Sequence, residues 1–129
     1  MITARRRSGS QLYQVSCTAQ EQVGDLVKVV GAGKQVSRVN VASRALMPAT
    51  GIITAKLSDS VAVMQLTGPV EGVYTGLTPG RLYFVGMDGR PSLVPPATQQ
   101  SPKRIVQIVG SALDQNVLLL APNTSLIEW

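Results

Sequence analysis

Seven carboxylates, one thiol and no histidine make up the acid, base and nucleophile repertoire of this 129-residue chain. Without histidine there is no side chain that ordinarily titrates near neutrality, and no Ser-His or Cys-His pair can form. Cys17 is the single cysteine, so no internal disulfide is possible, and one thiol without histidine does not build a zinc site. In a segment of alternating apolar residues it reads as a small buried hydrophobe. Four of the carboxylates adjoin turn-forming residues: Asp25 after Gly24, Asp59 before Ser60, Asp88 before Gly89, and Asp114 at the end of a strand-like run. Aspartate in such places hydrogen-bonds its own local backbone, so turn chemistry is the expected role. No spacing suggests a paired-carboxylate site. Gly76-Leu-Thr-Pro-Gly80 sets glycine beside the basic Arg81, as phosphate loops do, but lacks the Gly-Lys-Ser/Thr ending and a following helix. Pro79 before Gly80 instead predicts a type II turn. The expectation is a protein that is not an enzyme, with no catalytic, cofactor or metal residues and no small-molecule substrate.

The formal charge is +5, from twelve basic and seven acidic residues. Arg5, Arg6 and Arg7 are contiguous, whereas Lys28, Lys34, Arg38, Arg44 and Lys56 are scattered singly. Tyr13, Tyr74, Tyr83, Phe84 and Trp129 do not interleave with these charges as a base-stacking platform requires, so direct nucleic-acid binding is not expected. No run approaches the roughly 18 consecutive apolar residues that span a bilayer. The N-terminal charges are not followed by an apolar signal core, so a soluble, unsecreted protein without membrane contact is expected.

These residues are carried by short strands. Residues 1–11 read as an extended basic arm, and residues 12–129 as a single β domain. Weak period-two alternation begins at Leu12. Leu26 to Val30 and the group Val36, Val39 and Val41, separated by Gly31-Ala-Gly33, predict a hairpin with a bulge near Val36–Val39. Gly51 to Lys56 and Ser60 to Thr67 predict a second hairpin, and Asp88-Gly89 a third turn. Val41 to Met47 contains helix formers but stops at Pro48, so it is expected as a single turn crossing between sheets. Pro91, Pro95, Pro96 and Pro102 make a stiff exposed connection, a plausible contact surface. The expected fold class is all-β, a compact β-sandwich or β-barrel of short antiparallel strands. Exposed strand edges and the apolar C-terminal residues Leu126, Ile127 and Trp129 are expected to be buried by self-association or by a larger partner.

From about Asp25 to Leu120 the succession of turns resembles a small β domain that recurs in structural proteins of tailed double-stranded DNA bacteriophages, among them head decoration proteins, head fibres and tail fibres. The likeness is carried by Gly-Leu-Thr-Pro-Gly before a strand containing Tyr83, by Pro95 and Pro96 in a loop, and by Val109, Gly110, Ala112 and Leu113 before a final apolar strand. The segment Val-Ala-Ser-Arg-Ala-Leu-Met-Pro-Ala, from Val41 to Ala49, is similar to the loop preceding a strand in that domain. The resemblance implies a capsid decoration, or cement, protein on the outer surface of a phage head. It would be made in the host bacterial cytoplasm, assembled as a homotrimer and bound to the major capsid protein. Arg5, Arg6 and Arg7 would then pair with carboxylates of neighbouring chains. A head-fibre base, a tail component or a neck component carrying the same domain is the alternative, and a nucleic-acid-binding module a remote one. The absence of a fibrous repeat or helical stalk argues against a tail fibre.

Overall fold

The structure is a computed structural model that describes residues 12–95, 105–122 and 127–128. The predicted arm, including Arg5, Arg6 and Arg7, lies outside the described residues, as do Leu126 and Trp129. The strands are β1 (Leu12–Ser16), β2 (Leu26–Gly31), β3 (Gln35–Arg38), β4 (Gly51–Lys56), β5 (Val61–Gln65), β6 (Gly68–Glu71), β7 (Leu82–Val85), β8 (Pro91–Ser92), β9 (Ile105–Val106), β10 (Ile108–Asp114), β11 (Val117–Leu120) and β12 (Ile127–Glu128). The expected all-β class is found. β1 to β5 close a barrel in the order β1-β3-β2-β4-β5, and a five-stranded sheet follows in the order β6-β11-β10-β7-β8. β9 and β12 form a separate pair.

One pairing departs from the expected antiparallel pattern. β1 meets β3 in parallel through Ser16 and Gln35, while the other barrel pairings are antiparallel. Parity requires this, because a closed ring with an odd number of strands cannot alternate direction throughout.

Two cores result. Val15, Cys17, Val27, Val36, Ile53, Ala62 and Met64 fill the barrel. A larger core lies between the barrel and the second sheet, where Leu26, Val41, Met47 and Ile52 meet Val70, Tyr83, Val85, Val109, Leu118 and Leu120. The adjacent pairs Leu26–Val27 and Ile52–Ile53 therefore serve opposite faces of their strands, and all four side chains are fully buried. This is why these strands read as continuous apolar runs: strands covered on both faces do not alternate. Cys17 is buried as expected.

Local turn chemistry follows the sequence with three corrections. Arg81 N donates to Thr78 O at 3.2 Å and Gly80 takes φ +82°, as a type II turn with glycine third requires. The β2–β3 register shift falls at Val29–Gly31, not at Val36–Val39: Val29 pairs with Val36 and Gly31 with Gln35, so Val30 is the extra residue of a bulge within β2. The segment Val41–Met47 is a single 3-10 turn at Arg44–Leu46, but it joins β3 to β4 within the barrel and does not cross between sheets. Buried Gln107 holds its exit, accepting from Ala49 N at 2.7 Å and donating to Ala49 O at 3.2 Å.

The third correction concerns edges. Those of the second sheet are blunted: Pro69 lies in β6 and Pro91 in β8, and Gln65 Nε2 donates to Thr67 O and Pro69 O, both at 2.9 Å. Missing N–H groups and capped carbonyls remove the template that an added strand would use. Addition of a strand at these two edges is therefore disfavoured.

Candidate interaction surface and the polar junction behind it

Asp25 directly precedes β2 and is only 2% exposed, yet it does more than cap a turn. Its Oδ2 accepts from Arg38 Nε and from Gln22 N, both at 2.9 Å, and lies 2.9 Å from Arg38 Nη2. Its Oδ1 lies 3.2 Å from Arg90 Nε. Arg38 belongs to the barrel, whereas Arg90 stands in the β7–β8 hairpin of the second sheet, so one carboxylate ties the two units together. The guanidiniums are also spent on carbonyls: Arg90 Nη2 donates to Val23 O at 2.9 Å, and Arg38 Nη2 to Gln20 O.

Tyr74 seals the same junction, donating its hydroxyl to Gly24 O at 2.6 Å. Burial pushes its phenol well above the ordinary value near 10, with Arg90 pulling the other way. The unfolded phenol ionises near pH 10 while the folded one keeps its proton. Its contribution to stability is thus complete below pH 10 and declines as pH rises beyond it. Tyr74→Phe should cost about 1 kcal/mol at pH 8 by loss of the hydrogen bond. It should also lose less stability than the wild type between pH 8 and 11. Urea midpoints at the two pH values measure both effects.

The other expected turn carboxylates divide. Asp88 Oδ1 accepts from Arg90 N at 3.0 Å and Asp114 Oδ1 from Gln115 N at 2.8 Å, as turn chemistry predicts. In the β4–β5 turn the cap is Ser58, whose Oγ accepts from Ser60 N at 3.2 Å, while Asp59 contributes its backbone carbonyl to Cys17 Sγ and Lys56 Nζ. Lys56 Nζ is held by Thr18 O and Glu21 O, each at 2.8 Å, and lies 3.4 Å from Cys17 Sγ. Among the described residues no group of three or more metal-ligating side chains converges. No helix there is long and apolar enough to cross a membrane.

A shallow concavity runs between β8 and the loop before β7, lined by Tyr74, Leu77, Tyr83, Arg90, Pro91 and Leu93 among others. Both phenols are already engaged, Tyr74 with Gly24 and Tyr83 as acceptor for Thr78 N at 2.8 Å. Its walls mix apolar side chains with the polar Thr75, Arg90 and Ser92, and of these Arg90 is already engaged with Asp25 and with Val23 O.

The outer face of the second sheet is different. Val70, Tyr83, Val85, Val109, Leu118 and Leu120 point into the core, so their strand neighbours point outward. Register sets these neighbours in rows: Pro69, Leu119, Ser111 and Leu82 across four strands, and Phe84 beside Ile108. Leu82 is 51% exposed, and Leu113, in the bulge of β10, is 58% exposed. At one end, Glu71, Val117 and Asp114 form a further row. This face combines leucine-rich surface with two exposed carboxylates that have no ion-pair partner among the described residues.

Of the expected contact residues, only Ile127 is described; it lies in β12 opposite Val106. The Asp25 junction and the outer face were not recognisable as sites in the sequence. Leu82 and Phe84 alternating with Tyr83 and Val85 was the available signal for an outward apolar row. Comparison of the chain with protein-family models, with curated proteins and with solved structures finds no match.

Proposed function

We propose that the chain is a structural protein of a tailed-phage virion, a decoration or cement protein that binds the major capsid protein on the outside of the head. It would act as a homotrimer, with its N-terminal segment reaching neighbouring chains. The observation that carries this reading is the leucine-rich outer face of the second sheet, a surface suited to burial against another chain within an assembly of copies. The motifs resembling the phage domain supply the biological context. Asp25, Arg38, Arg90, Tyr74 and Lys56 are engaged in holding the fold together, which suits a binding module better than a catalyst. A decoration protein stabilises a shell to the extent that it binds the assembly in preference to its separate parts.

Purified protein mixed with phage heads that lack it tests the reading. Saturable binding to assembled heads, absence of binding to free capsid subunits and a raised temperature of shell disruption are expected. Density confined to the neck or tail in images of the virion would replace the head assignment, and failure to bind any virion part would overturn it.

A further inference from the structure

We infer that the outer face of the β6-β11-β10-β7-β8 sheet receives the N-terminal segment, residues 1–11, of another copy of this chain. The argument starts from charge. Without Arg5, Arg6, Arg7, Lys103 and Arg104, the remaining seven basic residues equal the seven acidic ones, so the whole excess of +5 resides in two short stretches. Among the described acidic residues, Asp25 alone is in an ion pair with another described residue, and of the remaining carboxylates Glu71 and Asp114 are the two that flank Val117 on the outer face. The face therefore asks for a partner that is cationic at one end and apolar along the rest.

Residues 1–11 have that composition. Arg5, Arg6 and Arg7 can meet the carboxylates, and Met1 and Ile2 can meet the leucines. An extended chain advances about 3.3 Å per residue, which sets Ile2 roughly 10–17 Å from the arginines. That is about the width of two or three strands at 4.8 Å spacing, enough to pass from the Glu71–Asp114 row to Leu82 and Leu113. Eleven residues reach at most about 40 Å beyond Leu12, far enough to leave the parent molecule. Docking on the chain's own face is disfavoured by the edge it would have to cross. β1 enters opposite Gln65, and the intervening β6 edge is capped by Gln65 and lacks a donor at Pro69, so no ladder would hold the segment there. Exchange of identical segments between copies is a low-cost route to a closed oligomer.

The inference needs no capsid and is tested with the full chain alone. Glu71→Gln with Asp114→Asn removes both charges, while the side-chain amide oxygen introduced at position 114 still offers an acceptor to Gln115 N. Sedimentation equilibrium should show association weakened about tenfold, the fold-change expected for two partly exposed ion pairs. Asp59→Asn, an exposed carboxylate in a barrel turn, should leave association unchanged. A second measurement places a benzophenone amino acid at Ile2 in an equal mixture of isotopically light and heavy chains. Light-to-heavy crosslinks to β7, β10 or β11 are expected. Crosslinks confined within single copies or falling elsewhere, or equal association of the double variant and Asp59→Asn, would overturn it. Neither result depends on whether the protein binds phage heads.

Discussion

Gly110→Ala should be the most damaging single substitution in the second sheet, costing about 3 kcal/mol or more, a large part of the 5–15 kcal/mol that holds a typical domain folded. A β-carbon on Gly110 would sit 2.0 Å from Leu119 O and 3.0 Å from Leu119 C. The obstructing atoms are backbone, so no rotamer change relieves the contact. Relief requires β10 to separate from β11, and the register already shifts in β10 between Ile108 and Gly110 where it pairs with β7. Both strands line the larger core through Val109, Ala112, Leu118 and Leu120, so separation would open that core. Chemical denaturation should show a lowered midpoint with little change in slope. A midpoint within experimental error of the wild type would mean that the close approach of β10 and β11 at this point is not a feature of the protein.

Gly110 also shows how much was legible beforehand. In the sequence Val109, Gly110, Ala112 and Leu113 stood out only as a motif before a final apolar strand, and it is the close approach of Leu119 O, beside the Gly110–Leu120 pair, that explains why the residue must be glycine. Turns were readable because their requirements are local: Pro79-Gly80 fixes a backbone conformation whatever surrounds it. Strand existence was equally local, since Gly51–Lys56 and Val61–Gln65 are separated by a hairpin-length connection. Barrel closure was not readable, because nothing near Ser16 announces a parallel bridge to Gln35. The two-core arrangement was hidden for a related reason. Leu26 and Val27 are equally apolar and equally buried, and no pattern in the sequence tells which faces the barrel interior. The outer face escaped notice because exposed leucines are commonplace individually. It becomes a surface when register aligns Leu119 with Ser111 and Leu82.

Asp25 is where local reasoning went furthest astray, and the second large effect is expected there. The turn contact to Gln22 N exists, but it is one of several, and the others reach Arg38, 13 residues away, and Arg90, 65 residues away. Asp25→Ala should therefore cost about 2–3 kcal/mol, more than loss of a local turn bond. Removing one partner of a fully buried ion pair costs about 3–5 kcal/mol, but here the side chains of Arg38 and Arg90 are 42% and 41% exposed, so water compensates them in part. Asp25→Asn should fall between, since its amide oxygen can still accept a bond from Gln22 N or Arg38. The decisive measurement is a double-mutant cycle of Asp25→Ala with Arg90→Met, a change that keeps much of the side-chain volume. If the carboxylate joins the barrel to the second sheet, the two effects should be non-additive by about 1 kcal/mol, as for residues sharing an interaction. Strict additivity would show that Asp25 organises the barrel through Arg38 and Gln22 alone, and that the two units are held together by their apolar core without an ionic tie.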